Sequence, residues 1–126
     1  VYSTCMYVEQ MIERDGYQVE TVSGIPSFCA AAARVNQPLA EREEQIHILP
    51  GSYESGEGLQ LSGTKILMKT GKKMGQIKEF LQESSQDICL VENCGMDRER
   101  IVRSVEEVSE DMGYYSLLIV KDKKKQ

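Results

Sequence analysis

The local feature most suggestive of ligand chemistry is Gly24-Ile25-Pro26-Ser27, where a glycine follows a predicted strand and precedes a predicted helix. Glycine adopts positive φ readily and lets a ligand approach the backbone closely. The start of the following helix offers free N–H groups and a positive dipole end, which suit an anionic group. The same four residues also fit an ordinary strand-to-helix connection, so the pattern alone leaves both interpretations open.

Two further positions lie where α/β proteins place ligand contacts. Val91-Glu92-Asn93 ends an apolar segment of strand length, and Lys69 follows the apolar run from Ile66 to Met68. Ligands of α/β sheets bind beyond the carboxyl ends of strands. The first segment fits a polar strand end that caps a turn equally well, and Lys69 fits a surface lysine whose stem covers apolar side chains.

Cysteine and histidine spacing predicts no metal site. Cys89 and Cys94 are separated by four residues, not the two of a zinc knuckle, and the single histidine, His47, is distant. We therefore expect Cys5, Cys29, Cys89 and Cys94 to be reduced and buried as small apolar side chains. Because no Ser-His-Asp set, P-loop or Gly-x-Gly-x-x-Gly helix start is present, the catalytic residues stay unknown at this point.

The amino-acid composition limits what kind of protein this can be. The 126 residues are 40% hydrophobic and 28% charged, which allows one packed domain. The net charge of −5 disfavours a nucleic-acid partner, and the basic run Lys121 to Lys125 is interrupted by Asp122 and predicts a solvated tail. No apolar run reaches the length of a membrane span and no leader is visible, which indicates a cytoplasmic protein with no membrane partner. Because the sequence opens at Val1 rather than methionine, we expect it to begin inside a longer protein.

Hydrophobic spacing predicts alternating helices and strands, and hence an α/β fold. Ser3 or Thr4 and then Ser27 are the expected N-caps of the first two helices. Predicted helices span 4–15, 27–35, 72–84 and 104–112, and predicted strands span 17–22, 46–49, 65–68, 88–91, 101–102 and 115–120.

Six motifs occur in an order that resembles the precorrin-2 C(20)-methyltransferases of the tetrapyrrole methylase family. They are Tyr2-Ser3-Thr4-Cys5-Met6-Tyr7, Gly24-Ile25-Pro26-Ser27-Phe28-Cys29-Ala30-Ala31-Ala32, Pro38-Leu39-Ala40-Glu41-Arg42, Leu49-Pro50-Gly51-Ser52-Tyr53, Gly63-Thr64-Lys65-Ile66-Leu67-Met68-Lys69 and Val91-Glu92-Asn93-Cys94-Gly95-Met96. Together these motifs extend through most of the chain.

The resemblance implies two α/β domains with S-adenosyl-L-methionine held between them, and a homodimer. Residues 1–22 would be the end of the amino-terminal domain, and 23–126 the carboxy-terminal α/β domain with a mixed β-sheet flanked by helices. The glycine-rich loop and the Gly-Asp-Pro that the family places before Val1 are absent from this sequence. We therefore expect this chain to be inactive by itself.

The resemblance also implies which residues of this sequence stand at the family's binding positions. The implied cofactor-binding residues are Ser3, Thr4, Pro26, Ser27, Met68, Lys69, Cys89, Leu90 and Ser116. Arg42, Lys69 and Arg100 are candidates to pair with the carboxylates of a tetrapyrrole substrate, and each also fits an ordinary surface charge. Glu92 is a candidate contact that could accept the proton lost from the methylated carbon, a role that solvent could equally fill.

The implied reaction is direct attack of an electron-rich meso carbon of precorrin-2, or of its cobalt complex (cobalt-factor II), on the sulfonium methyl group. Such a displacement needs alignment rather than a protein nucleophile. The alternatives are another tetrapyrrole methylase, a diphthine synthase-like enzyme, or a non-catalytic dimerisation or binding module.

Overall fold

The computed structural model describes residues 2–51 and 56–124, except for the side chain of Lys72. In these ranges three α-helices and five strands follow one another. They are α1 (Ser3–Arg14), α2 (Ser27–Val35), β1 (Ile46–Pro50), β2 (Thr64–Met68), α3 (Met74–Glu83), β3 (Gln86–Glu92), β4 (Arg100–Val102) and β5 (Ser116–Asp122). None of the described helices is both long and apolar enough to cross a membrane.

The strands form one mixed sheet in the order β1-β2-β5-β3-β4. Strands β1 and β2 are parallel, whereas β5 runs antiparallel to both of its neighbours, β2 and β3, and β4 runs antiparallel to β3. The carboxyl ends of β1, β2 and β3 therefore meet the amino ends of β4 and β5 at one edge of the sheet. The predicted α/β class with a mixed sheet flanked by helices is confirmed.

Helices cover both faces of the sheet because side chains of successive strand residues point to opposite sides. On one face, α3 packs Met74, Ile77 and Leu81 against strand residues that include Leu90 and Leu118. Full burial of one such leucine stabilises the fold by about 1.5–3 kcal/mol. This face contains the larger of the two buried clusters.

The opposite face is covered by α2, whose alanines keep the helix thin. Ala31 and Val35 of α2 lie against a buried cluster that includes Ile66, Cys89 and Ile119. Only 1% of the Ala31 surface is exposed, so the helix backbone approaches the sheet closely. This close approach fixes where the amino end of α2 stands relative to the strand ends.

Helix α1 differs from the other two because none of its residues is buried. Its exposed large apolar side chains are Met6, Tyr7, Val8, Met11 and Ile12. Apolar side chains at helical spacing normally pack against another element. In the part of the chain that the structure describes, that side of α1 is left largely uncovered.

The predicted elements agree with the structure to within two residues, with two exceptions. The strand predicted over 17–22 is irregular, and Tyr17 and Val22 are exposed, because no neighbouring strand in the described ranges pairs with it. The helix predicted over 104–112 is reduced to the 3-10 turn Val105–Glu107. There Ser104 hydroxyl donates to the Glu106 carboxylate, and Val108 is extended and buried in the core.

The expected caps are also wrong, because Tyr2 and Pro26 occupy the N-cap positions of α1 and α2. Neither residue makes a side-chain capping hydrogen bond. Ser3 and Ser27 are instead the first helical residues.

The predicted burial of the cysteines holds for Cys89 alone, since Cys94 is half-buried and both Cys5 and Cys29 are exposed. The predicted turn over 50–53 lies partly outside the described residues.

The basic run near the end of the chain is not a free tail in its described part. Lys121 and Asp122 belong to β5, and the Lys121 ammonium donates to the carbonyl of Pro38 at 2.8 Å. Lys124 pairs with Glu41, also at 2.8 Å. Lys125 lies outside the described residues. These contacts fix β5 to the connector between α2 and β1.

A buried lysine lies in the middle of this region. Lys65 on β2 is fully buried, and its ammonium contacts the Asp122 carboxylate at 2.6 Å. The same carboxylate accepts the backbone N–H of Gly63 at 2.8 Å and the amide of Gln86 at 3.3 Å. Partial burial by itself raises the pKa of Asp122, but these hydrogen bonds and the charge of Lys65 outweigh it and hold the pKa below its ordinary value.

This pair predicts a contribution to acid sensitivity. A carboxyl group with a lower pKa in the folded state stabilises fully above its unfolded pKa and loses that contribution as pH falls through the folded pKa. We expect the urea concentration at the unfolding midpoint of the wild type to decrease as the pH is lowered from about 5. The midpoint of Asp122→Asn should decrease less over the same pH range. Because Asp122 is nearly half exposed, at 45%, the difference will be modest. Parallel pH profiles for the two proteins would contradict this assignment.

Candidate functional site

A cleft of about 610 Å³ lies at the edge where the carboxyl ends of β1 and β2 meet the amino ends of α1 and α2. It is lined by Tyr2, Ser3, Thr4, Cys5, Pro26, Ser27, Phe28, Ile48, Leu49, Pro50, Met68 and Lys69. Six of the nine predicted cofactor residues belong to this set, namely Ser3, Thr4, Pro26, Ser27, Met68 and Lys69. The fold thus brings together three segments that are far apart in sequence.

Two helix amino termini open onto the cleft without side-chain caps. Ser3 begins α1 and Ser27 begins α2, and neither preceding residue provides a capping side chain. N–H groups in the first turn of a helix have no partner within the helix. Together with the positive ends of the helix dipoles, they can bind an anionic group such as a carboxylate.

The backbone around the cleft adopts left-handed conformations that favour glycine. Tyr2 has φ 63° and Lys69 has φ 56°. A bulky side chain in this region costs about 1–3 kcal/mol. Such outliers cluster at ligand sites because the surrounding structure holds them there. The left-handed conformation of Lys69 comes directly after the last residue of β2, Met68, and both residues line the cleft.

Three of the nine predicted cofactor residues do not line the cleft. Cys89, Leu90 and Ser116 are buried in β3 and β5. The side chains of Cys89 and Leu90 belong to the clusters on opposite faces of the sheet. Burial raises the pKa of the Cys89 thiol, although the charge of Arg103 partly opposes the rise, so the thiol is neutral near pH 7.

The residues predicted to contact a substrate are spread over two regions. Arg42 is exposed in the connector before β1, with φ 54°. Glu92 and Arg100 lie at the same edge of the sheet as the cleft, on β3 and β4, with their charged groups 3.5 Å apart. The structure therefore brings Glu92 and Arg100 together and leaves Arg42 separate.

Sequence reasoning missed the apolar half of the cleft. Phe28, Ile48, Leu49 and Pro50 contribute to its lining, as does Tyr2 beside the start of α1. One signal pointed to the end of β1, because Leu49 ends a predicted strand and Leu49-Pro50 begins one of the six motifs. No sequence signal indicated the left-handed conformation of Tyr2.

A larger open cleft of about 900 Å³ lies at the opposite edge of the sheet, between residues 37–45 and 121–124. Its lining carries both signs of charge, and Glu41 and Lys124 already pair across it. It contains none of the predicted site residues. Because size alone does not identify a site, the convergence of predicted residues and helix ends makes the smaller cleft the candidate.

Within the described ranges, no group of three or more His, Cys, Asp or Glu side chains could hold a metal ion.

Curated proteins that are similar to nearly the whole chain include two named as C(20)-methyltransferases. One is a probable cobalt-precorrin-2 C(20)-methyltransferase of Methanocaldococcus jannaschii, 32% identical over 124 residues, which are 96% of this chain and 54% of that protein. Another is the cobalt-precorrin-2 C(20)-methyltransferase of Salmonella typhimurium, 27% identical over 127 residues, with 95% and 53% coverage. The chain spans about half the length of these relatives.

Solved structures of related enzymes share the fold. The X-ray structure of a cobalt precorrin-4 methyltransferase gives a TM-score of 0.75 at 16% identity, covering 96% of this chain and 59% of the other. Uroporphyrin-III C-methyltransferase from Thermus thermophilus, complexed with S-adenosylhomocysteine, gives a TM-score of 0.69 at 20% identity, covering 96% and 60%. At these identities the likeness shows the fold alone.

The family is shown by a match of residues 1–108 to the model of the Tetrapyrrole (Corrin/Porphyrin) Methylases. The match includes both helices that open onto the cleft and four of the five strands. It agrees with the two curated relatives and confirms the resemblance read from the six motifs. The chain belongs to the tetrapyrrole methylase family.

Proposed function

We propose that the protein carrying this chain transfers a methyl group from S-adenosyl-L-methionine to C20 of precorrin-2 or cobalt-factor II in cobalamin biosynthesis. The observation that carries the proposal is the cleft at the strand ends, where six residues predicted as cofactor contacts line one surface. The curated relative that is 32% identical bears the name of a C(20)-methyltransferase acting on the cobalt-containing substrate.

The chemistry of the cleft suits the methyl donor. The amino ends of α1 and α2 supply N–H groups for its carboxylate, through the first turns at Ser3 and Ser27. Met68, Ile48 and Leu49 provide an apolar surface for the rest of the molecule. When bound, the donor would supply a methyl group on a sulfonium sulfur, whose carbon an electron-rich carbon of the acceptor can attack while the sulfur leaves as the thioether of S-adenosylhomocysteine. The residues of this chain bind and orient the reactants and exclude water.

The proposal includes a second domain packed against α1. Residues 1–22 would complete that domain, and residues 23–126 would form the carboxy-terminal one. The second domain is supported by the uncovered apolar side chains of α1 and by the length of the relatives, about twice that of the matched region.

The family resemblance further implies a homodimer, which we include in the proposal. The mass of the full-length protein in solution, measured by light scattering, tests that part.

Methyl transfer by the full-length gene product is the direct test. Purified protein is incubated with S-adenosyl-L-methionine and either metal-free precorrin-2 or cobalt-factor II, and the product mass is recorded. We expect one added methyl group on one of the two acceptors and none in reactions without enzyme. Fragmentation or carbon-13 labelling then assigns the methyl group to C20.

Other outcomes would replace the proposal. Transfer to a different tetrapyrrole or to another carbon would assign the protein to another activity of its family. Binding of S-adenosylhomocysteine without transfer to any tetrapyrrole would favour a diphthine synthase-like acceptor. Absence of both binding and transfer in folded protein would favour a non-catalytic binding module.

A further inference from the structure

Glu92 is held by contacts at both of its carboxylate oxygens. Its Oε2 accepts the backbone N–H of Gly113 at 2.8 Å, and its Oε1 lies 3.5 Å from the guanidinium of Arg100. The side chain is only 13% exposed. A carboxylate fixed in this way acts as a structural acceptor rather than as a freely accessible base.

The contact with Gly113 fixes the turn that enters β5. The Gly113 carbonyl accepts the hydroxyl of Ser116 at 2.6 Å, and the Tyr115 carbonyl accepts the N–H of Asn93 at 2.9 Å. Glu92 also pairs with Ser116 in the register of β3 and β5. The Glu92 carboxylate, which accepts the N–H of Gly113, and the Ser116 hydroxyl, which donates to the Gly113 carbonyl, therefore hold both backbone polar groups of this residue.

The turn carries two exposed tyrosines to the edge of the sheet that contains the candidate cleft. Tyr114 and Tyr115 are 71% and 62% exposed, and their rings meet edge to face with centroids 5.2 Å apart. In the sheet Met68 pairs with Leu117, two residues after Tyr115. Neighbouring strands lie about 4.8 Å apart, so the turn stands one strand away from the end of β2, where Met68 and Lys69 line the cleft.

We propose that Glu92 is a positioning residue that holds the Gly113–Tyr115 turn, so that the Tyr114–Tyr115 pair forms the β5-side wall of the methyl-donor site. Exposed tyrosines suit this task because an aromatic ring packs against a nucleoside while its hydroxyl remains in water. The inference rests on the proposed function for the identity of the ligand. It assigns Glu92 no proton transfer from the substrate.

The test compares Glu92→Gln with Glu92→Ala in the full-length protein. Glutamine keeps an acceptor for the Gly113 N–H, whereas alanine removes it. We expect Glu92→Ala to raise the Kd for S-adenosylhomocysteine about three- to tenfold, as the loss of a partly buried hydrogen bond predicts. Glu92→Gln should stay within about twofold of wild type and keep its kcat and pH profile.

Three further variants and one matched control sharpen the comparison. Ser116→Ala removes the hydroxyl that donates to the Gly113 carbonyl and should raise the Kd, as Glu92→Ala does. Tyr114→Ala and Tyr115→Ala remove the wall itself and should weaken binding without lowering the melting temperature. Glu83→Ala, at an exposed position on α3, is the matched control for removal of a carboxylate.

Amide hydrogen exchange distinguishes failure of this inference from failure of the proposed function. Exchange at Gly113 should be faster in Glu92→Ala and unchanged in Glu92→Gln, whatever reaction the protein catalyses. If Glu92→Gln loses kcat and its pH dependence while the Kd is unchanged, Glu92 is a base and the inference is wrong. Unchanged exchange and unchanged Kd in Glu92→Ala would also overturn it. If the wild type transfers no methyl group, the proposed function fails and the exchange result still decides the role of Glu92.

Discussion

Ser27→Trp should abolish binding of the methyl donor while the protein stays folded. Ser27 is exposed as the first residue of α2, and it lines the candidate cleft. An indole at this position would occupy the space beside the two helix amino ends and cover their N–H groups. We expect the Kd for S-adenosylhomocysteine, measured by calorimetry on the full-length protein, to rise at least about 100-fold, equivalent to about 2.7 kcal/mol.

The matched control places the same side chain in the larger cleft. Ser62 is also exposed and lines that cleft at the opposite edge of the sheet. Ser62→Trp should leave the Kd unchanged. If instead Ser62→Trp blocks binding and Ser27→Trp does not, the donor site has been assigned to the wrong edge of the sheet. Equal melting temperatures for both variants would exclude a general loss of structure.

Gly63→Ala should destabilise the fold strongly, although it adds only one methyl group. Gly63 has φ +98°, and an added Cβ would lie 2.4 Å from the backbone oxygen of Gln45. That oxygen accepts the N–H of Thr64 at 2.9 Å, at the point where β1 and β2 begin to pair. Strain at Gly63 and displacement of Gln45 should together lower the free energy of unfolding by about 3–4 kcal/mol.

Gly24→Ala provides the control for that substitution. Gly24 lies in an open connection, with no heavy atom within 4 Å of an added Cβ and with φ outside the left-handed range. Alanine there should be neutral or stabilise by up to about 1 kcal/mol, since it restricts the unfolded chain. Chemical denaturation of both variants gives the comparison. A loss at Gly63 no larger than that at Gly24 would contradict the close packing of β1 on β2.

The sequence predicted the buried elements well because burial leaves a periodic pattern. Ile66 to Met68 and Ile88 to Val91 are apolar runs of strand length, as is typical of a strand covered on both faces, and both are strands in the structure. The helix expected after Ser104 failed for a tertiary reason. Burial of Val108 in the core requires an extended backbone there, and the Lys78 ammonium binds the Val108 carbonyl at 2.6 Å. Local capping preferences could not anticipate that contact.

The site was predictable only through the resemblance, and then only in part. Spacing singled out Gly24 to Ser27 and Lys69 but left an ordinary interpretation open for each. The motifs added Ser3 and Thr4, and the fold places all of these segments except Gly24 and Ile25 at one cleft. The left-handed turn at Lys69 and the hydrogen bond that Gly113 donates to Glu92 depend on three-dimensional neighbours. No pattern in a single sequence encodes them.

The position of β5 governs when this sheet can form during synthesis. The strand occupies residues 116–122, yet it is the middle strand and joins β2 to β3. Until it has left the ribosome, the β1–β2 pair and the β3–β4 pair have no hydrogen-bonded connection to each other. Pairings between distant segments are slow, and unpaired strand edges invite association with other chains. Nascent chains from which residues 116–122 have not yet emerged should therefore depend on chaperones, whereas those that have released β5 from the ribosome can close the sheet.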